Sequence, residues 1–435
     1  MMKRKLTGLP LAGSMVLGLA ALGATPAQAE GTLKICYMSH PVIDANVAMM
    51  EKWAKANDVE FEKNPMSYSV YLPKMSQMLS SGGTDCDIFW HNDDWGQLWK
   101  QWVEQTSDVA GMDTIQKGPM RAFPNDEGQP TAVPLAHTVG TFFYRTDLVA
   151  ENDVPKTWAD MVAVGHKLQE EGKTKWGYVG GMTHQNTWFS IWWSLWTNGC
   201  DIFNPKFERD NAVLDKSGWV PTLTEDCHRE TIEFWWDNLH KDKISPEGMV
   251  SYGRNEANAI FMAGESAFTF ADSTFLGEFN NPEKSKIAGK VGMALWPMGP
   301  RLDHNVAWDT VWAWGIPKAL DAKQKDIAKQ ALGAMLLDKE GQIDQWKGTG
   351  GPPPNTTLWP ELASQDPVFA KLKAVVFDVQ DHILSAYYFP NWPAVQKAYA
   401  DISTEALSGK REDIPAVLER GMKTLHDAAV QQIAK

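Results

Sequence analysis

Acidic side chains and aromatic rings stand next to each other at several points of this sequence. Asp93 and Asp94 precede Trp95, and Asp309 follows Trp308. A carboxylate accepts hydrogen bonds from two hydroxyl groups at once, and such charge-assisted bonds are stronger than neutral ones. An indole ring adds a flat apolar face, on which the C–H patches of a sugar stack, and a polar N–H. The combination indicates a site for a small polyhydroxylated molecule.

Tryptophan is unusually frequent, with 21 Trp among 435 residues. A core needs few of them, because a buried indole N–H requires a hydrogen-bond partner. We expect some of these rings to face a ligand, although packing in a core is the more common role for any single Trp.

The first part of the chain alternates between strand and helix patterns. Strands are predicted at Leu33–Tyr37, Val59–Glu62 and Cys86–Trp90, and helices at Ala45–Ala56 and Val70–Leu79. This order favours right-handed βαβ crossovers in a parallel sheet. Ligands bind outside the carboxyl ends of such strands. The candidate segments are therefore Ser39-His40, Tyr68-Ser69 and His91–Trp95.

The stretch Thr131–Leu148 is typical of a strand that leaves one compact unit and enters another. It has an early Pro, a small and polar middle, and an apolar run at Phe142–Tyr144. An ordinary buried strand followed by a loop is the alternative. A second crossing is predicted at Ala307–Pro317, and the rigid segment Gly348–Pro354 suits a third.

Two helices after the first crossing have informative starts. Thr157 is a plausible N-cap with Asp160 at the capping-box position, although Asp replaces the usual Glu or Gln. The helix predicted at Thr187–Thr197 carries large rings on two neighbouring faces. We expect the N-terminal turn of that helix, around Asn186 and Trp188, to contact the ligand.

The N-terminus has the pattern of a secretory leader. A basic segment, Lys3–Lys5, precedes an apolar run, Leu11–Leu22, and Ala27–Ala29 is an A-x-A cleavage site. We expect cleavage after Ala29 and a soluble periplasmic or secreted protein. The net charge of −13 includes three positive charges in the leader. The acidic mature chain argues against nucleic acid or an anionic membrane as partner.

Four cysteines in an oxidising compartment allow three pairings. Cys200 and Cys227 flank a loop-rich segment, and a disulfide between them would contribute about 3 kcal/mol. Cys36 and Cys86 lie in predicted strands, where they form a second bridge or remain two buried thiols. No spacing resembles a zinc site, and we expect no cofactor.

Several segments together resemble the extracellular solute-binding proteins of ABC importers, the sugar-binding family that includes maltose-binding protein. They occur in the expected order from the leader to the C-terminus: VP…YRTDL…VPKTW, IFMAGESAFTF, VGMALWPMGP, DIAKQALGAMLLDKEGQIDQWKGTGGPPP and YYFPNWPAVQKAYADISTEALSGKREDIPAVLERG. Each motif is loose alone, and the joint order carries the resemblance.

The resemblance implies an α/β fold with two lobes, each a mostly parallel sheet flanked by helices, joined by a hinge of two or three strands. By analogy one lobe takes residues 30–137 and 309–350, and the other takes 138–308 and 351–435. Ligand binds in the cleft, the lobes close, and the closed form docks on a membrane permease. The protein would be a monomer without enzymatic activity.

Cleft residues should come from both lobes and from the hinge. The candidates are His40, Tyr68, Asp93, Asp94, Trp95, Asn186, Trp188, Asp272, Ser273, Tyr388 and Trp392, with His137, Trp308, Asp309 and Trp312 from the hinge strands. One of Asp93 and Asp94 has the alternative of a solvated turn or helix cap. His40 and His137 have the alternative of strand-end residues bonded to the backbone.

The expected solute is a neutral carbohydrate or polyol, because the candidate loops contain no Arg cluster of the kind that phosphate demands. Arg301 is the nearby exception. Two rival functions are a receptor for a phosphorylated polyol such as glycerol 3-phosphate, and a glycoside hydrolase with Asp94 and Asp272 as its carboxylates. A purely structural or adhesive secreted protein would leave the Trp-rich loops without a role.

Overall fold

The computed structural model describes residues 31–183, 187, 190–204, 220–377, 383–384 and 391–430. Its strands are β1 (Gly31–Met38), β2 (Val59–Met66), β3 (Ile88–His91), β4 (Val133–Arg145), β5 (Trp176–Val179), β6 (Phe203–Asn204), β7 (Val220–Pro221), β8 (Ser266–Asp272), β9 (Val291–Ala294), β10 (Ala307–Gly315) and β11 (Ile383–Leu384). Its helices are α1 (Pro41–Ala56), α2 (Tyr68–Ser80), α3 (Gly96–Trp99), α4 (Trp158–Glu170), α5 (Ile191–Thr197), α6 (Asp226–Trp236), α7 (Arg254–Met262), α8 (Leu276–Phe279), α9 (Ala322–Leu337), α10 (Lys339–Thr349), α11 (Trp359–Gln365), α12 (Pro367–Leu372), α13 (Trp392–Ser408) and α14 (Ile414–Val430).

The first three strands form the parallel unit that the alternating pattern predicts. β1 pairs parallel with β2 along its whole length and with β3 on the other side. Helices α1 and α9 pack on β1, and the apolar side chains of this unit form one hydrophobic cluster with residues such as Ile35, Val47 and Leu332. The carboxyl ends of β1 and β3 therefore lie at the same edge of the sheet.

Strands β4 and β10 are the long elements that join this unit to the rest of the chain. Every residue of both strands is buried. They pair antiparallel with each other, with Asp309 opposite Val139. β10 also pairs with β3, and β4 pairs with β8 and β9, so the sheet runs in the order β2-β1-β3-β10-β4-β8-β5.

A second hydrophobic cluster forms around the far half of β4. Phe142 and Phe143 belong to it, together with strands β5 and β8 and the helices that follow the Pro-rich segment. β5 pairs parallel with β8. The two clusters share the crossing strands: Ala136 belongs to the first and Val139 to the second. The mixed α/β fold thus has two large cores among the described residues, beside a small third cluster around Phe123 and Val311.

Close packing explains why a glycine, Gly140, lies at the middle of β4. A Cβ atom there would lie 2.7 Å from Cε3 of Trp308 and 2.8 Å from Cζ of Phe270. Both distances are shorter than van der Waals contact. The glycine therefore lets the Trp308 ring of β10 lie directly against the β4 backbone.

The helices and strands predicted from the sequence are present in the structure, but several begin or end at other residues. Helix α1 begins at Pro41, four residues before the predicted start, because Pro occupies the first turn and His40 is the N-cap. The capping box of Thr157 and Asp160 is present. The segment predicted as a third crossing forms no strand in the described chain, but the backbone N–H of His137 donates to the carbonyl of Pro352 at 3.0 Å.

All four cysteines are paired. Cys200–Cys227 is bridged, which confirms the predicted pair, with Cα atoms 6.0 Å apart. Cys36 and Cys86 are also bridged, with Cα atoms 5.7 Å apart. Of the two alternatives for these residues, the disulfide is therefore the correct one, and free thiols are excluded. Within the described ranges, no helix is both long and apolar enough to cross a membrane.

Candidate functional site

A cavity of about 270 Å³ lies where the ends of β3 and β8 meet the crossing strand β10. Its lining comes from both hydrophobic units. The lining residues are Met38, Tyr68, Trp90, Asn92, Asp93, Asp94, Gly253, Arg254, Asn255, Glu256, Asp272, Trp308 and Trp312. A wider cleft of about 840 Å³ shares Met38, Tyr68, Arg254 and Asn255 with it and extends past His40.

The loop after β3 supplies two of the cavity's carboxylates. The strand ends at His91, and a 3₁₀ turn at Asp93–Trp95 follows it. The Oγ1 of Thr310 on β10 donates to Asp93 Oδ2 at 2.7 Å. The amide of Asn92 donates to Asp94 Oδ2 at 3.2 Å. The crossing strand therefore holds one carboxylate, and the loop itself holds the other.

Aromatic rings cover one wall of the cavity. Tyr68 opens helix α2, and its ring lies 6.0 Å from that of Trp95 in a stacked arrangement. Trp90 and Trp312 meet edge to face, with centroids 5.6 Å apart. These contacts fix the rings of Tyr68, Trp90 and Trp312, which line the cavity. Trp308 adds a further ring from β10.

Another part of the lining holds an ion pair. Asp272 is the last residue of β8, and Arg254 is the first of α7, which packs on β8. A guanidinium nitrogen of Arg254 lies 3.7 Å from Asp272 Oδ2, and the same guanidinium lies 4.6 Å from the centre of the Phe275 ring. Asp272 is 3% exposed, and its Oδ1 has no hydrogen-bond donor among the described residues.

Burial makes all three carboxylates difficult to ionise. It raises the pKa of Asp93 from 3.8 to about 7, against the Thr310 hydrogen bond and with a further rise from the Asp272 charge. It raises the pKa of Asp94 well above the ordinary value, with help from the neighbouring charge of Asp93. It raises the pKa of Asp272 to about 6, and Arg254 opposes that rise.

His40 lies at the wider cleft and in contact with both units. Its ring meets Trp312 at 4.9 Å and Phe275 at 5.6 Å, edge to face in both cases. Its Nδ1 also accepts a long hydrogen bond of 3.4 Å from the backbone N–H of Val42, the backbone role that the sequence left open. Burial, and then the charge of Arg254, lower the pKa of His40 to about 3.

Six of the candidate residues line the cavity together: Tyr68, Asp93, Asp94, Asp272, Trp308 and Trp312. Trp95, Ser273, His137, Asp309 and Trp392 do not line it. Trp95 and Ser273 are buried beside cavity residues, and the Trp392 side chain reaches Asp94 and opposes the rise of its pKa. Asn186, Trp188 and Tyr388 lie outside the described residues.

His137 and Asp309 form a buried pair between the crossing strands. His137 Nδ1 lies 2.8 Å from Asp309 Oδ1, and the side chains are 1% and 0% exposed. The His137 ring packs edge to face on Trp359 and Phe377. The pair therefore ties β4 to β10 and to the chain after the Pro-rich segment, behind the cavity.

The sequence reasoning did not name Arg254, Asn92, Glu256 or Trp90, all of which line the cavity. Asn92 lay inside a candidate loop, so its amide was a signal that could have been used. Arg301, which the sequence marked as the exception, donates instead to Glu230 at 2.7 and 2.8 Å in a surface ion pair. Arg254 is the cavity's guanidinium.

Comparison with known proteins identifies the family. Residues 48–371 match the family model of the bacterial extracellular solute-binding protein. The chain belongs to this family. A protein of Deinococcus radiodurans, described as a probable ABC transporter-binding protein, is 25% identical over 301 residues, which cover 66% of this chain and 68% of the relative. A probable amino-acid ABC transporter periplasmic-binding protein of Sinorhizobium fredii is 23% identical over 397 residues, which cover 84% of this chain and 85% of the relative.

Solved solute-binding proteins share the fold at low identity. The maltose-bound MalE3 of T. maritima has a TM-score of 0.75 and 23% identity and covers 91% of this chain and 100% of its own. A ribitol complex from Agrobacterium radiobacter K84 has a TM-score of 0.74 and 17% identity, with 92% and 99% covered. The solute-binding protein described here therefore has the two-lobe α/β architecture that the sequence motifs imply.

Proposed function

We propose that this solute-binding protein captures a small carbohydrate or polyol without an acidic group in the cavity between its two units and delivers it to the permease of an ABC importer. The observation that carries the proposal is the lining: carboxylates, two amides and aromatic rings from both units line one cavity. Carboxylates and amides bond hydroxyl groups, and the rings take the C–H faces. Its relatives' descriptions name maltose and ribitol as bound solutes.

The two units serve as lobes in this proposal. The lobe boundaries that the sequence predicts, 30–137 with 309–350 and 138–308 with 351–435, place Asp93 and Asp272 on opposite lobes. Strands β4 and β10 would act as the hinge, which needs only a few residues to change their dihedral angles. A solute that contacts both lobes shifts the open–closed equilibrium as far as it prefers the closed form.

An acidic solute is poorly served by the described lining. Its one guanidinium, Arg254, already lies 3.7 Å from Asp272, and four acidic side chains line the same space. A phosphorylated polyol would therefore meet repulsion from Asp93 and Asp94. The proposed export signal, with cleavage after Ala29, delivers the protein to the periplasm, where the permease is accessible.

A thermal-shift screen of the refolded, ligand-stripped protein tests the proposal. The panel contains neutral sugars, polyols, sugar phosphates and amino acids, the last because one relative is described as an amino-acid receptor. A solute at 100 times its dissociation constant adds about 2.7 kcal/mol of stability. We expect a shift with a carbohydrate or polyol that is recovered intact. A shift only with phosphates or with plain amino acids overturns the proposal, and consumption of an oligosaccharide indicates a hydrolase.

A matched pair of variants locates the site. Trp312→Leu removes a cavity ring, whereas Trp236→Leu removes a ring that packs on His240 away from the cavity. We expect Trp312→Leu to weaken binding at least about tenfold and Trp236→Leu to leave the dissociation constant unchanged. Equal effects of the two changes would place the site elsewhere.

A further inference from the structure

Among the described residues of the cavity lining, negative groups exceed positive groups. Four acidic side chains reach it, and among the described residues Arg254 is the one cation. Arg254 compensates Asp272, and Glu256 caps helix α7 by accepting from the Gly253 N–H at 3.0 Å. Asp93 and Asp94 have only neutral donors in the contacts described above. Two buried carboxylates without a cation are costly unless something compensates them.

Two acceptors of the cavity lining are buried without a partner among the described residues, and so is one donor, Trp90 Nε1. Asp272 Oδ1 and Asn92 Oδ1 are buried without a donor from the described chain, and the two residues are 3% and 5% exposed. A buried acceptor without a partner destabilises the folded protein, because it has lost its bonds to water. Both residues line the cavity, so the missing donors are expected from what fills it.

A metal ion is a poor candidate for this role. Within the described ranges, no three carboxylates bring oxygens within 4.8 Å of one another. Calcium and magnesium gather their oxygen ligands at about 2.0–2.6 Å, so a cluster for them would be compact. Acceptors spread along the cavity suit an extended organic molecule with several donors.

An ammonium group supplies a positive charge together with hydrogen-bond donors. It carries a positive charge and three N–H donors, whereas a hydroxyl carries one donor and no charge. Aromatic rings attract cations within about 6 Å of their centre, and Tyr68, Trp90 and Trp312 line the same space as Asp93 and Asp94. Arg254 and Asp272, in the same lining, retain donors and acceptors for hydroxyl groups.

We propose that the solute is an amino-bearing carbohydrate or polyol, whose protonated amine lies between the Asp93–Asp94 carboxylates and the aromatic wall, with its hydroxyl groups toward Arg254 and Asp272. The inference rests on the proposed function and adds a positive charge to the solute, whereas the sequence analysis predicts a neutral solute.

Matched solutes test the charge directly. Titration calorimetry at pH 8 compares glucitol with 1-amino-1-deoxyglucitol and its N-acetyl derivative, and xylitol with 1-amino-1-deoxyxylitol, on the full ligand-stripped chain. The amine should bind at least about tenfold more tightly than its hydroxyl counterpart, because charge-assisted bonds are about twice as strong as neutral ones. N-acetylation should abolish the advantage. Neutral members that bind as tightly as amines overturn the charge inference alone, whereas no binding by any member of either series counts against the proposed function as well.

The pH and variant dependence of the ratio gives an independent readout. Among the described residues, the ionisable groups around the site are His40, Tyr68, Asp93, Asp94, Arg254, Glu256, Asp272, Glu278 and Lys284. Of these, Asp93 and Asp272 have pKa values of about 7 and about 6, so the amine advantage should shrink between pH 8 and pH 5. Asp94→Asn should reduce the ratio at pH 8, and exposed Asp153→Asn should not. A ratio unchanged in Asp94→Asn and across this pH range contradicts the placement of the amine.

Discussion

Replacing Asp93 with Asn is expected to stabilise the ligand-free protein at pH 8 far more than at pH 5. Asp93 is 4% exposed, and burial raises its pKa from 3.8 to about 7. The folded chain therefore holds this proton more tightly than the unfolded chain does. Between about pH 4 and pH 7 the folded state binds more protons, so the free energy of unfolding falls as pH rises through that window.

The magnitude follows from the same values. A rise from 3.8 to about 7 corresponds to at most about 4 kcal/mol of lost stability once Asp93 is ionised. The amide introduced by Asp93→Asn carries no charge and still offers an oxygen to Thr310 Oγ1, which lies 2.7 Å from the present carboxylate. We expect a gain of about 2–4 kcal/mol at pH 8. At pH 5 the carboxyl is already protonated, and the gain should be small.

Urea unfolding followed by tryptophan fluorescence measures the effect at both pH values. The wild type, Asp93→Asn and the exposed control Asp153→Asn are compared under identical salt. The control should show the same small change at pH 5 and pH 8. If the difference between Asp93→Asn and the wild type does not depend on pH, Asp93 is solvated in the folded protein and the reasoning fails.

Three further predictions concern stability, each measured by urea unfolding. Gly315→Ala should cost about 2–3 kcal/mol, because the added Cβ would lie 2.5 Å from Phe89 Cζ. The control Gly348→Ala should be neutral or stabilising, because no atom lies within 4 Å of its added Cβ. Equal effects of the two changes would contradict the packing argument. Asp309→Leu should cost about 3 kcal/mol, because it leaves His137 buried without its carboxylate partner. Adding His137→Leu should recover part of that loss. If the losses of the two substitutions add instead, the two side chains do not act as a pair. Replacing Cys36 and Cys86 with Ala should cost about 4 kcal/mol relative to the oxidised wild type, at least as much as removing Cys200–Cys227, because the loop is longer; no loss relative to the oxidised wild type would contradict this.

Local patterns explain why much of the fold could be predicted from the sequence. The capping box of Thr157 depends on four consecutive residues, and the period of apolar residues in α1 depends on one helix. Sites at the carboxyl ends of parallel strands follow from strand order alone, which is why Tyr68, Asp93 and Asp94 were found.

The rest of the site depends on geometry that spacing does not contain. Trp95 is adjacent to Asp94, but in a 3₁₀ turn of three residues each side chain points about a third of a turn from the last. Trp95 therefore packs inward on Tyr71 and Trp99 while its neighbour faces the cavity. Arg254 reaches Asp272 only because α7 packs against β8, a contact between elements that no local pattern predicts.

The carboxylates that cost the empty protein stability are the groups expected to select its solute. Asp93 and Asp94 are buried together, and the charge of Asp93 adds to the cost of ionising Asp94. A protonated amine would relieve that cost only when it is bound. The free energy that ionised Asp93 and Asp94 cost the ligand-free protein is therefore recovered on binding a cationic solute, which makes the site selective for it. The two measurements are therefore linked: Asp93→Asn should gain stability without solute and lose preference for the amine. A variant that gained stability and kept the full preference would separate the two roles and place the amine away from Asp93.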